Sequence, residues 1–237
     1  MSSLSWFPGL EDHRVGDVHL WWAPLDHSAS LVKKMEACLA AEEKERAQRL
    51  VRWQDRKRWI VSRGLLRHLL SAVTGEEAEK LCFQYGLHGK PVLRGYDCPF
   101  NLSHSHDWVV IAVSPSSPVG VDVERVCPDL EADKLIDLVM SPSEKTEWKK
   151  LPAEGRLVAF FRLWTRKEAV VKAAGEGLSR SLPGFSVGWQ PDRYGHVDEK
   201  GVEWEVVSLD WIPGYEMACC IGSRSAVADW RRRTLQG

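Results

Sequence analysis

The sequence predicts an α+β chain made of two similar halves, residues 1–117 and 118–237, packed about a pseudo-twofold axis with a ligand cleft between them. Strand and helix signals alternate along the chain without a long linker or a low-complexity tract. Both halves pass through the same order of elements. Shifting the first half forward by about 105 residues lays "RWIVSRGLLR" (58–67) on "LWTRKEAVVK" (163–172), so that Trp59 meets Trp164 and Arg67 meets Lys172. A similar shift lays "DVHLWW" on "GVDVER" and "WVVIAVS" on "YEMACCI".

In chain order, "DVHLWWAPL" (17–25) reads as a strand and the charged, Ala-rich run after Ser28 as helix. A longer helix over 53–73 carries Trp59, Leu65, Leu66, Leu69 and Leu70 at helical spacing and stops near Gly75. "LCFQYG" and "WVVIAVS" read as strands on either side of the turn signal "GKP", and "FNLSHSHDW" (100–108) precedes the second of them. The second half opens on the strand "VGVDVERV", continues with helices over 131–150 and 154–175, and closes on the strands "FSVGW", "EWEVVSLDW" and "YEMACCIG".

Composition restricts the class. The 237 residues are 44% hydrophobic and 27% charged with formal net charge -1, so global charge favours no nucleic-acid partner and only local clusters can speak. The six cysteines form no CxxC pair and no regular framework, which suits reduced thiols in a cytoplasmic protein. No basic segment leads into an apolar run at the start, and the apolar run "WVVIAV" has only strand length; neither a signal peptide nor a membrane span is expected.

Four stretches carry chemistry. On a helix, Trp164, Glu168 and Lys172 stand four apart on one face, where an ordinary i,i+4 Glu/Lys pair is the competing explanation. On the strand 118–126, Asp122 and Glu124 project to one side while Val121 and Val123 project to the other. Two adjacent carboxylates repel unless a cation holds them, and hard oxygen ligands of this kind suit Mg2+. In "FNLSHSHDW", Ser103 and His104 can donate to a phosphate oxygen. His104 and His106 lack the further ligands that would complete a zinc site. The basic run from Lys44 and Arg46 through Arg58 to Arg67 suits a solvated helix face, RNA phosphates or a multiply phosphorylated small molecule. The aromatic and glycine signature of an RNA-recognition motif is absent.

The order of these stretches, basic helix, "GKP", "FNLSHS", "GVDVE" and then "WTRKEAVVK", resembles the Sfp-type 4'-phosphopantetheinyl transferases over about residues 40–222. The resemblance implies the fold of that family, with the active site in the cleft between the halves. It also implies transfer of the phosphopantetheine arm of coenzyme A to a serine of an apo acyl or peptidyl carrier protein. Asp122, Glu124 and Glu168 would hold Mg2+, with Mn2+ as the alternative ion; Glu168 and Lys172 would be catalytic. Ser103, His104 and Arg58 would bind the 3'-phosphate, Gly89, Lys90 and Pro91 would lie by the adenine, and Lys44 and Arg46 would add phosphate contacts. The longer "QYGLHGKP" departs from the tighter turn of family members and bears on the adenine contacts. A monomer without nucleic-acid or membrane partners is expected. An RNA-binding module and a metal-dependent phosphohydrolase are the alternatives. In 128–152, Leu138 and Met140 are expected to touch the carrier, with Lys145, Lys149 and Lys150 as a basic edge.

Overall fold

A computed structural model describes residues 4–177, 180–189, 195–199 and 202–223, with residues 195–199 and 202 described as backbone only. The tail "DWRRRTLQG" lies outside the described residues.

Two four-stranded antiparallel sheets dominate the described chain. The first contains β1 (Glu11–Val15), β2 (Val18–Pro24), β5 (Phe100–Ser105) and β6 (Trp108–Val113), in the order β1-β2-β6-β5. The second contains β7 (Val119–Arg125), β8 (Gly195–Glu199), β9 (Val202–Leu209) and β10 (Tyr215–Gly222), in the order β7-β10-β9-β8. A small hairpin pairs β3 (Phe83–Tyr85) with β4 (Pro91–Leu93). Helices α1 (Ala29–Ala37), α2 (Ala41–Arg49) and α3 (Trp53–Thr74) belong to the first half. In the second half α4 (Ile136–Val139) and α5 (Pro142–Trp148) precede α6 (Ala153–Ala174).

Strand alternation sorts the apolar residues into three layers. Val18 and Leu20 of β2 and Val110 and Ala112 of β6 meet Val119, Val121 and Val123 of β7 and Met217 and Cys219 of β10, so the two sheets share one core. The opposite face of the first sheet, with Trp21, Ala23, Val109 and Ile111, packs under Ile60, Leu65, Leu66 and Leu69 of α3. The opposite face of the second, with Ala218 and Cys220, packs under Ala169, Val170 and Ala173 of α6.

Several elements differ from the sequence reading for identifiable reasons. The segment 100–105 is a strand, because its polar residues Asn101, Ser103 and Ser105 occupy the buried face and bond to β7. The helix expected over 131–150 is broken into a 3-10 turn at Ala132–Lys134, α4 and α5. Pro142 lacks an N–H, and Ser141 with Glu144 forms a capping box that restarts the helix. "FSVGW" forms no strand. Its carbonyls accept from buried cations instead: Lys167 donates to Phe185 O, and Arg166 donates to Gly188 O at 2.7 Å. Val139 and Met140 are wholly buried, so Met140 faces the core, and of the two residues expected to touch a carrier only Leu138, 67% exposed, lies at the surface. Strands β1 and β8 lack apolar alternation, and the sequence reading assigned neither.

Part of the basic run of α2 and α3 is used within the fold. Arg63 and Arg67 both bond the buried Glu43, Arg67 also donates to Ala78 O and Leu81 O, Lys57 pairs with Asp26, and Arg56 donates to Leu50 O.

One contact fixes the second half. A Cβ built on Gly120 would lie 2.0 Å from Ala169 O and 2.4 Å from Ala173 N, backbone atoms of α6. Gly155, also on α6, has nothing within 4 Å of such a Cβ. Gly120→Ala is expected to destabilise the fold by about 3 kcal/mol, and Gly155→Ala to leave it unchanged or raise it by roughly 0.5–1 kcal/mol, read from denaturant midpoints. Equal midpoints for Gly120→Ala and wild type would contradict this packing.

Candidate active site

The close approach at Gly120 brings Asp122, two residues further along β7 on the same face, against the last turns of α6. Between Phe160 and Ala174 the residues of α6 that are not fully buried are Arg162, Trp164, Glu168 and Lys172. The last three line a cavity of about 710 Å³, within the range that holds a cofactor-sized ligand. The stripe noted in the sequence is thus the face of α6 that opens on the cavity.

Asp122 is 2% exposed. Its Oδ1 accepts from Lys172 Nζ at 2.5 Å and from Ser103 Oγ at 2.8 Å, and Lys172 Nζ also donates to Ser103 Oγ at 2.9 Å. Glu124 Oε2 accepts from Ser105 Oγ at 2.8 Å. Asn101 Oδ1 accepts from Val121 N and Ser105 Oγ from Arg125 N, so β5 and β7 are joined by side chains along their length.

Burial raises the pKa of Glu168, and the charge of Asp122 raises it further against the opposing pull of Lys172. Glu124 is raised by burial, then by Asp122, with Glu168 adding to the effect; Ser105 and Lys172 oppose it. His104 is held below the ordinary histidine value by desolvation and by the charges of Lys172 and Arg58. Arg58 itself pairs with Asp107 at 2.6 Å and with Asp55.

The other expected residues fall in two groups. Gly89, Lys90 and Pro91 line the cavity together with His88 and Asn101. The ammonium of Lys90 turns inward and bonds backbone carbonyls. Lys44 and Arg46 lie on α2 and are not among the cavity's lining residues: Lys44 donates to Ala37 O, and the Arg46 guanidinium lies 4.5 Å from the Trp59 ring centre. Sequence reasoning missed the wall formed by Gly177, Arg180, Ser181, Leu182 and Pro183. It also missed the buried Lys167, whose ammonium bonds Leu182 O at 2.8 Å and pairs with Glu144. Lys167 within "WTRKE" was the available signal.

The arrangement suits a divalent cation. Asp122 Oδ2 is buried with no hydrogen-bond partner, and two further carboxylates nearby are strained toward protonation by burial and by Asp122. Among the described residues, no three acidic, histidine or cysteine side chains, Asp122, Glu124 and Glu168 included, are grouped so as to hold a metal ion together. A hard cation that draws on one or two protein carboxylates, ligand oxygens and water needs no such group.

The raised pKa of Glu168 carries a sign for stability. The folded state binds its proton more tightly than the unfolded chain, so ionised Glu168 costs stability once pH exceeds the unfolded carboxylate value near 4.5. Glu168→Gln should therefore melt above wild type at pH 7, with the gain vanishing as pH falls below that value. A lower melting temperature at pH 7 would contradict the crowded-carboxylate reading.

Comparison with known proteins agrees with this geometry. Residues 118–220 match the model of the 4'-phosphopantetheinyl transferase superfamily, and residues 21–116 match that of the 4'-phosphopantetheinyl transferase N-terminal region. The chain is 35% identical over 168 residues to the 4'-phosphopantetheinyl transferase HetI of Nostoc sp., covering 69% of this chain and 71% of that protein. It is 32% identical to psf-1 of Bacillus pumilus (83% and 85% covered) and 30% identical to Sfp of Bacillus subtilis (77% and 81% covered), both named 4'-phosphopantetheinyl transferases. The two family models divide the chain between β6 and β7, the strand that carries Asp122 and Glu124, and the chain belongs to the 4'-phosphopantetheinyl transferase superfamily.

Proposed function

We propose that the cavity binds coenzyme A and that the chain transfers its 4'-phosphopantetheine arm to a serine of an apo carrier protein, releasing adenosine 3',5'-bisphosphate. The observation that carries this reading is the buried Asp122 bonded to Lys172, which lines the cavity beside Glu168, in a chain whose relatives bear the transferase name. In the reaction the serine oxygen bonds the β-phosphorus, the bond from that phosphorus to the bridging oxygen breaks, and the serine proton passes to a base.

Glu168 is assigned as that base. Its raised pKa makes it a stronger proton acceptor than an exposed carboxylate. Asp122, Glu124 and Glu168 are the residues that would hold Mg2+, which when bound neutralises the pyrophosphate and polarises the phosphorus under attack. Lys172, already at the cavity wall, can exchange Asp122 for a phosphate oxygen and so stabilise the leaving group. Ser103, His104 and Arg58 are assigned to the 3'-phosphate, with Gly89 and Pro91 beside the adenine. Lys44 and Arg46 remain candidates for outer phosphate contacts.

The cavity draws residues from both sequence halves, 1–117 and 118–237, which supports a ligand cleft between them and a monomer as the working unit. In each large sheet the first strand of its half's α/β unit, β2 or β7, lies next to the last, β6 or β10. Helices α3 and α6 span 22 residues each and end on left-handed Gly75 and Gly175. These correspondences support the pseudo-twofold reading. The helix ends differ in register from the sequence match of Trp59 with Trp164. Six free cysteines support a reducing, cytoplasmic compartment, and no described helix is long and apolar enough to cross a membrane.

Incubation with coenzyme A, Mg2+ and an apo acyl carrier protein should add the mass of one phosphopantetheine arm to the carrier. Asp122→Ala, still folded, should lower the rate by about 100-fold or more. Near-normal turnover in that variant would sink the assignment of Asp122, and coenzyme A cleavage without a carrier would favour a phosphohydrolase. Arg58→Ala or His104→Ala should weaken binding of coenzyme A far more than binding of 3'-dephospho-coenzyme A. Equal losses for both ligands by calorimetry would place the 3'-phosphate elsewhere.

A further inference from the structure

The side chain of Lys90 leaves the cavity wall and enters the protein, where it is 7% exposed. Its ammonium donates to Lys172 O at 2.6 Å, Val119 O at 2.9 Å and Ala173 O at 3.1 Å. The two helical carbonyls belong to the last turn of α6, beyond which the helix supplies no N–H to meet them. The third belongs to the first residue of β7, next to Gly120 and three residues before Asp122. One side chain thus joins three segments of the site.

The segment that carries Lys90 is a closed turn. Gly86 N donates to Lys90 O at 2.9 Å and Gly89 N to Gly86 O at 2.8 Å, so the turn holds its own shape but needs an anchor to hold its place. Its His88 approaches the loop after α6 closely: a Cβ on Gly177 would lie 3.3 Å from His88. Burial lowers the Lys90 pKa to about 7, while two carbonyl acceptors at the negative end of α6 and a third on β7 favour the charged form.

We propose that Lys90 is a positioning residue for the coenzyme: by bonding Val119, Lys172 and Ala173 it fixes the 86–91 turn against the end of α6 and so sets the cavity width and the place of the Lys172 ammonium. Lys90 contacts no reacting atom in this role. The proposal rests on the coenzyme A reading above and extends it from the wall of the cavity to what holds the wall.

Three variants test it: Lys90→Met, which removes every donor at similar length, Lys90→Gln, which keeps two, and Glu43→Gln. The last breaks buried pairs to Arg63 and Arg67 whose residues do not line the cavity. For Lys90→Met the dissociation constant for coenzyme A should rise about tenfold or more, while the Michaelis constant for the carrier stays within about twofold. Lys90→Gln should fall between it and wild type. Glu43→Gln should melt lower with coenzyme A affinity unchanged. A Lys90→Met protein that behaves like Glu43→Gln, losing stability but keeping coenzyme affinity, overturns the proposal. Should neither Lys90 variant fold, amide exchange of wild type decides. Coenzyme A should slow exchange in 86–91 and 172–177 together, and slowing in one segment alone overturns it. A wild-type protein that binds no coenzyme A overturns the coenzyme reading itself, an outcome distinct from loss of affinity in the Lys90 variants alone.

Discussion

The distance between β7 and α6 at Gly120 is the constraint on which the rest of the site depends. Backbone atoms of Ala169 and Ala173 occupy the space a side chain would need, so strand and helix meet without an intervening layer. Asp122 Oδ1 then accepts from Lys172 Nζ at 2.5 Å. On its other side β7 is held by Asn101, Ser103 and Ser105 of β5. The strand is gripped from both sides, and the burial that results is what raises Glu124 and Glu168. The carboxylates are kept close at a cost in folding energy.

A second theme is the use of buried cations to organise loops. Arg67 of α3 reaches Ala78 O and Leu81 O beyond the end of its helix, and Arg166 and Lys167 of α6 reach carbonyls between 182 and 188. A buried glutamate pairs with a cation of each set, Glu43 with Arg67 in the first half and Glu144 with Lys167 in the second. In the second half this arrangement builds a cavity wall, because Leu182 belongs to both the lining and the Lys167 network. The helix that offers Glu168 and Lys172 on one face therefore also fixes the opposite wall through the face behind it.

Much of this was legible in the sequence. Helix α3 and its stop at Gly75, the strands β2, β6, β7, β9 and β10, and the stripe Trp164, Glu168, Lys172 follow from periodicity, glycine and spacing. The adjacency of Asp122 and Glu124 on one face follows from strand alternation. Strand β5 was hidden because its polar residues face inward, opposite to the usual rule. The segment 185–189 was misread because side-chain cations, not a neighbouring strand, satisfy its carbonyls. The inward turn of Lys90 had no signal at all: a lysine beside a glycine and a proline reads as a surface charge, and only the chain's path puts three carbonyls around it. Met140 was expected on the surface, but the break at Pro142 rotates it into the core.

The near-complete burial of α6 bears on how such a protein can change over time. From Phe160 to Ala174 almost every position either packs against a sheet, anchors a loop or faces the cavity with a charged or aromatic group. A substitution there alters packing or chemistry at once, which leaves little room for neutral drift on this helix. The 86–91 turn is different, since Leu87 is 86% exposed. Divergence in ligand or partner preference is therefore easiest on the turn side of the cavity, where residues can vary in length and identity while the helix opposite stays fixed.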